Sequence, residues 1–421
     1  MVGEVKRVSL EDVLTEKQVH HIVKQATGAD TWTLGASDVR PAADGMAGFL
    51  GDHKRAKLDV LVDGEVKHIH LFIKRIPLNN QPKADLITNN SYFRREQFMF
   101  KVLEEIRDDN DPTPWCPKAY IYTDSIIVMP DLSVEGYASP YFLDTLDYEH
   151  LMLGMAALAK FHAAFTNYET KKSIANNRPY NTNDEHGSLL IEPAFCDSPF
   201  MKACAKLTAN FIKAYSCKPY RNLPDLEDKI AKQYLVACET MREWKGTLNV
   251  LIHKDLWVNN IMFKYQDNEL VNAMIVDFQL IRYTPPAFDV MTFMYLTTSR
   301  SFRDEYEREL CDRYFSVFCD HLDDDSKRRV KDLGYDKENF LKWCEKSRMF
   351  GLLEPAAIHP FILMHPKVAQ KTFDDPETYE RLVNEDRTEP VLAYAQQCAR
   401  YRDRLLEVSE EFIERYVLSE L

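Results

Sequence analysis

Two segments of the chain place carboxylate and amide side chains just after short apolar runs. The run LNVLIH at 248–253 leads into Asp255 and Asn260, and AMIV at 273–276 leads into Asp277. The first segment has the pattern H-x-D-x-x-x-x-N, and the second adds D-F at the end of another strand-like run. Two β-turns with ordinary polar residues are the alternative interpretation of the same letters.

This spacing suits the transfer of a phosphoryl group. The reaction needs a carboxylate beside the attacking hydroxyl and hard oxygen ligands that hold Mg²⁺ on the phosphates of a nucleotide. We assign Asp255 as the catalytic residue and Asn260 and Asp277 as metal ligands. The five-residue offset from Asp255 selects Asn260 over its neighbour Asn259, and we expect His253 to orient the loop.

A second set of residues would hold the nucleotide from the N-terminal side. Lys74 lies near the end of the strand-like run LFIKRI. In the helical segment that follows, Phe93, Glu96 and Phe100 share one apolar stripe. Because a carboxylate on a buried stripe needs a cation, we predict an ion pair between Glu96 and Lys74 that positions the lysine on the phosphates. The alternative is a partly exposed Glu96.

Glycine is scarce in the chain, with 13 in 421 residues, but three glycines are evenly spaced in GMAGFLG. Gly45, Gly48 and Gly51 precede the strand pair that ends at Lys74. Glycine allows close approach of backbone N–H groups to phosphates, so we predict that this segment binds the nucleotide phosphates. A flexible β-turn is the alternative.

The elements around these residues predict an α+β fold. Strands at 58–62 and 66–76 flank Asp63-Gly64, a strong hairpin signal. A helix at 91–107 and strands at 119–122 and 125–129 follow.

Beyond residue 131 helical patterns dominate, with a β region at 248–281. The helical patterns lie at 147–168, 199–217, 225–245, 303–322, 339–353 and 389–418. We therefore predict an N-terminal nucleotide-binding lobe (1–130), a linker at 130–138, and a helical lobe (131–421) with the catalytic loop and acceptor pocket.

Charge and composition exclude several classes of partner. The net charge is −13, with no long basic run, which argues against nucleic acid. The N-terminus MVGEVKRVSLEDVL lacks the apolar core of a signal peptide, and the apolar run at 151–165 is too short and polar to span a membrane. Nine dispersed cysteines without a C-x-x-C pair fit reduced thiols. We expect a cytoplasmic monomer without a membrane partner.

Several longer segments resemble the ecdysteroid-kinase-like family of insect and other animal proteins, which is related to choline and aminoglycoside kinases. They are HKDLWVNNIMFKY, IVDFQLIRYTPPAFDVMTFMYL, LAKFHAAF at 158–165 and FRREQFMF at 93–100. The resemblance runs from about residue 28 to 415. It implies a two-lobed, protein-kinase-like fold that uses ATP and Mg²⁺ to phosphorylate a small-molecule alcohol, such as an ecdysteroid or a xenobiotic.

The resemblance also implies roles for individual residues. Lys74 and Glu96 match the phosphate lysine and its helix partner, Asp255 matches the catalytic aspartate, and Asn260 and Asp277 match the metal ligands. The stretch from Ile127 to Asp131, which includes Met129, matches the segment that faces adenine, and both Met129 and Asp131 are therefore candidate nucleotide-binding residues.

Two positions depart from the family pattern. Lys254 stands where the family usually has glycine, and Pro130 stands where a glutamate is common. Lys254 could neutralise the transferring phosphate or point to solvent, and we expect the second. We further expect Asp289 to cap a helix and bond to the catalytic loop, His162 to be a satisfied core residue, and Trp257 to pack beneath the loop.

Three other functions remain open. A protein kinase would need an activation segment ending in A-P-E, for which there is little room between Asp277 and the helix near Asp289. A choline or aminoglycoside kinase would need clustered carboxylates or aromatic cages. A pseudokinase would usually lack one of the motif residues, and none is lost. We expect the acceptor pocket between residues 160–245 and 300–365, where aromatic residues are frequent: Phe165, Phe211, Tyr215, Trp343, Phe350 and Phe361.

Overall fold

A computed structural model of the chain describes residues 8–46 and 48–420. Residues 1–7, within the predicted N-terminal lobe, and Ala47, within the predicted phosphate segment, lie outside the described residues, as does Leu421.

The strands follow one another in the order β1 (Thr33–Pro41), β2 (Asp52–Val62), β3 (Glu65–Arg75), β4 (Ile121–Tyr122), β5 (Ile126–Pro130), β6 (Tyr137–Ala138), β7 (Val250–Ile252), β8 (Ile261–Gln266), β9 (Glu269–Ile275) and β10 (Arg282–Thr284). The helices are α1 (Glu16–Thr27), α2 (Gln81–Asn89), α3 (Tyr92–Ile106), α4 (Tyr148–Ala175), α5 (Thr182–His186), α6 (Pro199–Tyr215), α7 (Leu226–Thr240), α8 (Ala287–Thr297), α9 (Arg300–Asp320), α10 (Asp324–Asp332), α11 (Lys337–Ile362), α12 (Pro366–Phe373), α13 (Tyr379–Asn384), α14 (Thr388–Gln397) and α15 (Ala399–Phe412).

Within the described residues, β1 to β5 form an antiparallel sheet in the order β1-β2-β3-β5-β4. The predicted hairpin is confirmed as β2 and β3, and both turn residues adopt left-handed backbone, with φ of 51° at Asp63 and 83° at Gly64. That conformation matches the right-handed twist of the strands. Along β2, Ala56, Leu58 and Val60 are buried on one face and pack in the N-terminal core.

Two N-terminal elements, β1 and α1, were not predicted from the sequence. Strand β1 has the sequence TLGASDVRP, and its residues are largely exposed, so it carries no apolar alternation. It nevertheless pairs with β2 along its length. Helix α1 begins with a capping box between Thr15 and Gln18, and this pattern is visible in the sequence.

Helix α3 confirms the predicted helix at 91–107 and its buried stripe. Phe93, Glu96, Phe100 and Leu103 are all buried. The helix contacts β4 and a 3₁₀ turn over Phe278–Leu280, which directly follows Asp277. Helix α3 thereby brings the N-terminal sheet and the DFQ segment together.

The remainder of the described chain is mostly helical. Helix α4 extends past the predicted end to Ala175, and α11 continues through Pro355 and Pro360 to Ile362. The continuous helix expected at 389–418 is wrong, because the extended backbone of Cys398 separates α14 from α15. Inside this lobe β7 pairs with β10, and β8 pairs with β6 and β9.

The predicted α+β fold, a small lobe with an antiparallel sheet and a large, mostly helical lobe, is confirmed. The division of the chain at residue 130 stays a prediction. Residues 132–138 following the sheet form a short 3₁₀ turn and then β6, which pairs with β8 of the helical lobe.

Within residues 8–46 and 48–420, no helix combines the length and apolar character that crossing a membrane requires. All nine cysteines lie in the described part of the chain, and each is a free thiol there.

Candidate active site

The loop after β7 is held by a buried carboxylate. Asp289 Oδ2 accepts the backbone N–H of His253 at 2.6 Å, and Oδ1 accepts that of Lys254 at 2.6 Å. The predicted bond to this loop is therefore confirmed. The predicted cap is wrong, because Pro286 occupies the N-cap of α8 and Asp289 lies inside the first turn.

His162 supports the same carboxylate from α4. Its Nε2 lies 3.1 Å from Asp289 Oδ2 and its Nδ1 lies 2.7 Å from the hydroxyl of Tyr314. The side chain is fully buried. Both ring nitrogens have partners, so the prediction of a satisfied core histidine is confirmed.

Two contacts join the H-x-D loop to the strand that ends at Asp277. His253 Nε2 lies 2.9 Å from the carbonyl oxygen of Val276, and the N–H of Val276 donates to the carbonyl of Asn260 at 3.0 Å. Asp255, Asn260 and Asp277 consequently line one cleft together. His253 orients the loop, as predicted.

Asp255 is positioned by Asn260. The amide nitrogen of Asn260 donates to Asp255 Oδ2 at 3.0 Å and to the Asp255 carbonyl at 2.7 Å. Burial, followed by the negative charge of Asp277, raises the pKa of Asp255 to about 7, against the opposing influence of Lys254 and Asn260. A carboxylate with a pKa near 7 is well matched to accept a proton from a hydroxyl group at neutral pH.

Lys74 lies at the centre of a buried polar network, with 3% of its surface exposed. Its Nζ donates to Glu96 Oε2 at 2.6 Å, to Asp277 Oδ1 at 2.7 Å and to Gln279 Oε1 at 2.9 Å. The predicted ion pair with Glu96 is present. Burial disfavours the ammonium ion, but the carboxylates of Asp277 and Glu96 outweigh it and raise the pKa of Lys74.

Asn260 and Asp277 provide a donor set that fits Mg²⁺. No cluster of three or more His, Cys, Asp or Glu side chains capable of holding a metal occurs within the described residues. Mg²⁺ commonly takes only one or two carboxylates and completes its shell with phosphate oxygens and water. The positive charge of Lys74 outweighs the effect of burial and keeps the pKa of Asp277 low, which leaves this carboxylate ionised, as a metal ligand must be.

The three predicted phosphate glycines separate into two locations. Gly48 and Gly51 lie around the ring of His53, and a Cβ on Gly51 would be 3.3 Å from Lys74 Cγ. Gly45, with φ of 119°, instead packs against the start of α12, where a Cβ would be 2.8 Å from the backbone nitrogen of Lys367. Contact of these glycines with phosphates stays a prediction.

The segment expected to face adenine forms one wall of the cleft. Met129 and Asp131 line it. The polar groups of Asp131 are already engaged, because its N–H donates to the His70 carbonyl at 3.0 Å and its carboxylate accepts Arg55 Nη1 at 2.9 Å. Their contact with a nucleotide also stays a prediction.

Beyond Asp255 the cleft continues into a region with apolar walls. The whole cavity has a volume of 830 Å³, within the usual range for a small-molecule site. The apolar side chains on this side are Phe49, Phe195, Phe200, Trp257, Ile358, Phe361, Ile362 and Phe373. Of the aromatics that the sequence analysis named, Phe361 lines the cavity, whereas Phe165 and Phe211 are buried in the core. Trp257 is largely buried but contributes to the cavity wall.

The expectation that Lys254 points to solvent is wrong. Its side chain is 1% exposed, and its Nζ lies 3.0 Å from Glu192 Oε2. Its backbone φ is 74°, a conformation that glycine adopts without strain. This geometry accounts for the glycine that is usual at the position, and the buried ion pair accounts for the direction of the lysine side chain.

Sequence reasoning missed several residues of the site. Gln279 bonds to Lys74, and its position in the D-F-Q motif was a usable signal. Glu192 and Phe195 belong to a connection between α5 and α6 that has no recognisable pattern, and Phe200 lies in the first turn of α6. Arg282 Nε donates to Glu192 Oε2 at 2.8 Å, and its role follows only from the pairing of β10 with β7.

Comparison with known proteins gives one family match. The model of a family described as ecdysteroid kinase-like matches residues 45–325, about two thirds of the chain. No curated protein matches the sequence.

Several solved structures are similar in overall arrangement at low identity. An ethanolamine kinase from Plasmodium vivax is 14% identical, with a TM-score of 0.41, over 87% of this chain and 83% of its own. The choline kinase LicA from Streptococcus pneumoniae is 11% identical, with a TM-score of 0.38, over 94% and 99%. A microcompartment-associated aminopropanol kinase is 14% identical, with a TM-score of 0.37, over 94% and 98%.

Proposed function

The chain belongs to the ecdysteroid kinase-like family and is a small-molecule kinase, and from that membership we propose its substrates. It transfers the γ-phosphate of ATP, with Mg²⁺, to a hydroxyl group of an apolar alcohol. The acceptor is an ecdysteroid, a xenobiotic alcohol or a glycoside. A choline or aminoglycoside kinase is the alternative, and a pseudokinase is the alternative without turnover.

The observation that carries the proposal is that positively charged side chains of the protein itself lie against the aromatic rings of the proposed acceptor region. Lys254 Nζ lies 3.9 Å from the centroid of the Phe195 ring. The guanidinium of Arg387 lies 4.9 Å from the Phe200 ring and 4.7 Å from the Phe361 ring. An aromatic cage binds a quaternary ammonium through ring faces. Here those rings already have a positive charge close by, which disfavours a cationic alcohol.

The carboxylates in the cleft support the same conclusion. Glu96 is paired with Lys74, and Asp131 is paired with Arg55. Glu192, next to the acceptor region, is paired with both Lys254 and Arg282. Asp277 is also paired with Lys74, and Asp255 lies where the chemistry would occur. An apolar alcohol is therefore the best match for this half of the cleft.

In the proposed reaction each motif residue has one task. Asp255 orients the acceptor hydroxyl and accepts its proton as the oxygen attacks the γ-phosphorus of ATP, and the bond from that phosphorus to the bridging oxygen breaks to release ADP. Lys74, held by Glu96, neutralises negative charge on the nucleotide phosphates. Asn260 and Asp277 would hold Mg²⁺, which would supply further neutralisation of phosphate charge. The surrounding apolar side chains keep water away from the attacking oxygen.

The proposal extends to the setting of the reaction. Free thiols on the nine cysteines are in keeping with a reducing compartment, so we propose a cytoplasmic location. We also propose that the protein acts as a monomer. Its physiological task would be hormone inactivation or detoxification.

A substrate screen with the full chain tests the proposal. Purified protein is incubated with ATP and Mg²⁺ and with ecdysteroids, neutral xenobiotic alcohols, glycosides, choline or aminoglycosides, and phosphorylated products are identified by mass spectrometry. We expect phosphorylation of neutral apolar alcohols, and loss of product when EDTA replaces Mg²⁺. Turnover confined to choline or aminoglycosides would contradict the substrate class, and nucleotide binding without any product would favour a pseudokinase.

A further inference from the structure

Lys254 occupies a position where a side chain has a conformational cost. Its φ of 74° is left-handed, and a non-glycine residue in this region has a strained backbone. The side chain is nevertheless almost completely buried. Its contacts must therefore offset both the strain and the removal of an ammonium group from water.

These contacts connect the catalytic loop to one segment of the acceptor wall. Lys254 Nζ pairs with Glu192 Oε2 at 3.0 Å and lies over the ring of Phe195. Glu192 Oε1 in turn accepts the backbone N–H groups of Ala194 at 3.0 Å and Phe195 at 3.1 Å. Glu192 Oε2 also accepts Arg282 Nε. A single carboxylate thus organises residues 192–195 and attaches them to the residue that precedes Asp255.

We infer that Lys254 is a positioning residue that sets the acceptor wall relative to Asp255 and makes that wall unfavourable to cationic alcohols. The first part follows from connectivity, because Lys254 is covalently adjacent to Asp255 and its side chain holds the segment that carries Phe195. The second part follows from charge. The Lys254 ammonium lies over the Phe195 ring, so a cationic group bound against the other face of that ring would meet a like charge behind it.

The charge selectivity rests on the proposed function, whereas the positioning role applies to any acceptor. If the native enzyme prefers choline, the substrate proposal fails while Lys254 can still be tested with choline as the acceptor. The two failures are therefore distinguishable.

The test compares Lys254→Met, Lys254→Gly, Glu192→Gln and the double variant Lys254→Met/Glu192→Gln by steady-state kinetics. We expect Lys254→Met to lower kcat/KM for the acceptor by about 10²-fold, the order reported for a displacement of about 1 Å near reacting groups. KM for MgATP should remain within about twofold. The ratio of kcat/KM for neutral over cationic alcohols should fall, because a positive charge has been removed.

The glycine variant separates the side chain from the backbone. Lys254→Gly relieves the left-handed strain but also removes the ion pair. It should therefore show the same loss of acceptor kcat/KM as Lys254→Met. Its thermal midpoint should be at least as high as that of Lys254→Met. The double variant should be no worse than Lys254→Met, because both changes break one interaction. Lys264→Met is the matched control: this lysine lies 5.4 Å from the Tyr137 ring, outside the cleft, and its loss should leave acceptor kinetics unchanged.

Three results would overturn the inference. An unchanged acceptor kcat/KM in Lys254→Met would remove the positioning role. Equal losses of acceptor and MgATP affinity would assign Lys254 to general fold stability. An unchanged preference between neutral and cationic alcohols would remove the charge selectivity.

Discussion

The two halves of the cleft use charge in opposite ways. On the nucleotide side Lys74, Glu96 and Asp277 form a direct network whose members line the cavity. On the proposed acceptor side apolar rings line the cavity, and Arg387 lies behind two of them, fully buried. The first half therefore presents charges to the cleft, and the second half places apolar rings between Arg387 and the cleft.

This difference corresponds to what each half must recognise. Nucleotide phosphates are always strongly charged, so fixed cations and metal ligands at a set spacing suit them. An alcohol acceptor offers apolar surface and one reacting hydroxyl, so affinity comes from burial. The shape of an apolar cavity wall can change through many substitutions, whereas loss of Lys74 from the phosphate network would leave the buried carboxylate of Glu96 without its cation.

The largest expected effect is at the junction of the two halves. Asp255→Asn should lower kcat by about 10²–10⁴-fold, the usual contribution of a general base, while KM for ATP and acceptor changes little. Because burial and Asp277 raise the pKa of Asp255 to about 7, a neutral amide should not lower the thermal midpoint. Kinetics and thermal melting of the same preparation check both points. A variant with native turnover would remove Asp255 from the mechanism.

The second prediction isolates the nucleotide half. Lys74→Met should raise KM for MgATP and lower kcat by about 10²-fold, comparable to the loss of one electrostatic donor in an active site, without altering acceptor preference. Glu96→Gln should have a smaller effect, because the lysine is still held by Asp277 and Gln279. Initial-rate kinetics with each substrate varied in turn measures these effects.

Lys83→Met is the matched control for that pair of variants. Lys83 is equally buried at 3% exposure and pairs with Asp374 at 2.9 Å. Its loss should lower the thermal midpoint without raising KM for MgATP. If Lys83→Met and Lys74→Met have the same effect on MgATP, loss of any buried ion pair would be sufficient and the comparison between the halves would fail.

The smallest expected effect isolates the acceptor half. Phe361→Ala should raise KM for an apolar acceptor by about 10- to 100-fold, the equivalent of removing the burial of one aromatic side chain, with KM for MgATP unchanged. Phe340→Ala on the same helix is the control, because Phe340 packs against Tyr314 and Phe315 in the core. It should lower stability without changing acceptor KM. An acceptor KM insensitive to Phe361→Ala would place the acceptor elsewhere.

Local patterns in the sequence predicted much of the nucleotide half. The hairpin followed from Asp63-Gly64, and the Lys74–Glu96 ion pair followed from one charged residue on an apolar helical stripe. The predicted contact of Gly45 with the phosphates stays a prediction, and close packing against α12 is a separate reason for a glycine at this position. Strand β1 could not be predicted, since a polar edge strand gains its stability from pairing rather than from burial.

The sequence by itself predicted the candidate chemistry, from the spacing of Asp255, Asn260 and Asp277 and from the pairing of Lys74 with Glu96. Those residues lie at the ends of strands or on one stripe of a helix, where local periodicity fixes which way a side chain points. Only the tertiary structure decided the acceptor half and the direction of Lys254. Its partner Glu192 is 62 residues away in the chain. No periodic pattern in the sequence indicates their contact or the position of Arg387 behind the rings. Packing between distant segments forms the apolar walls of the proposed acceptor region, whereas spacing within short segments predicted the residues of the proposed reaction.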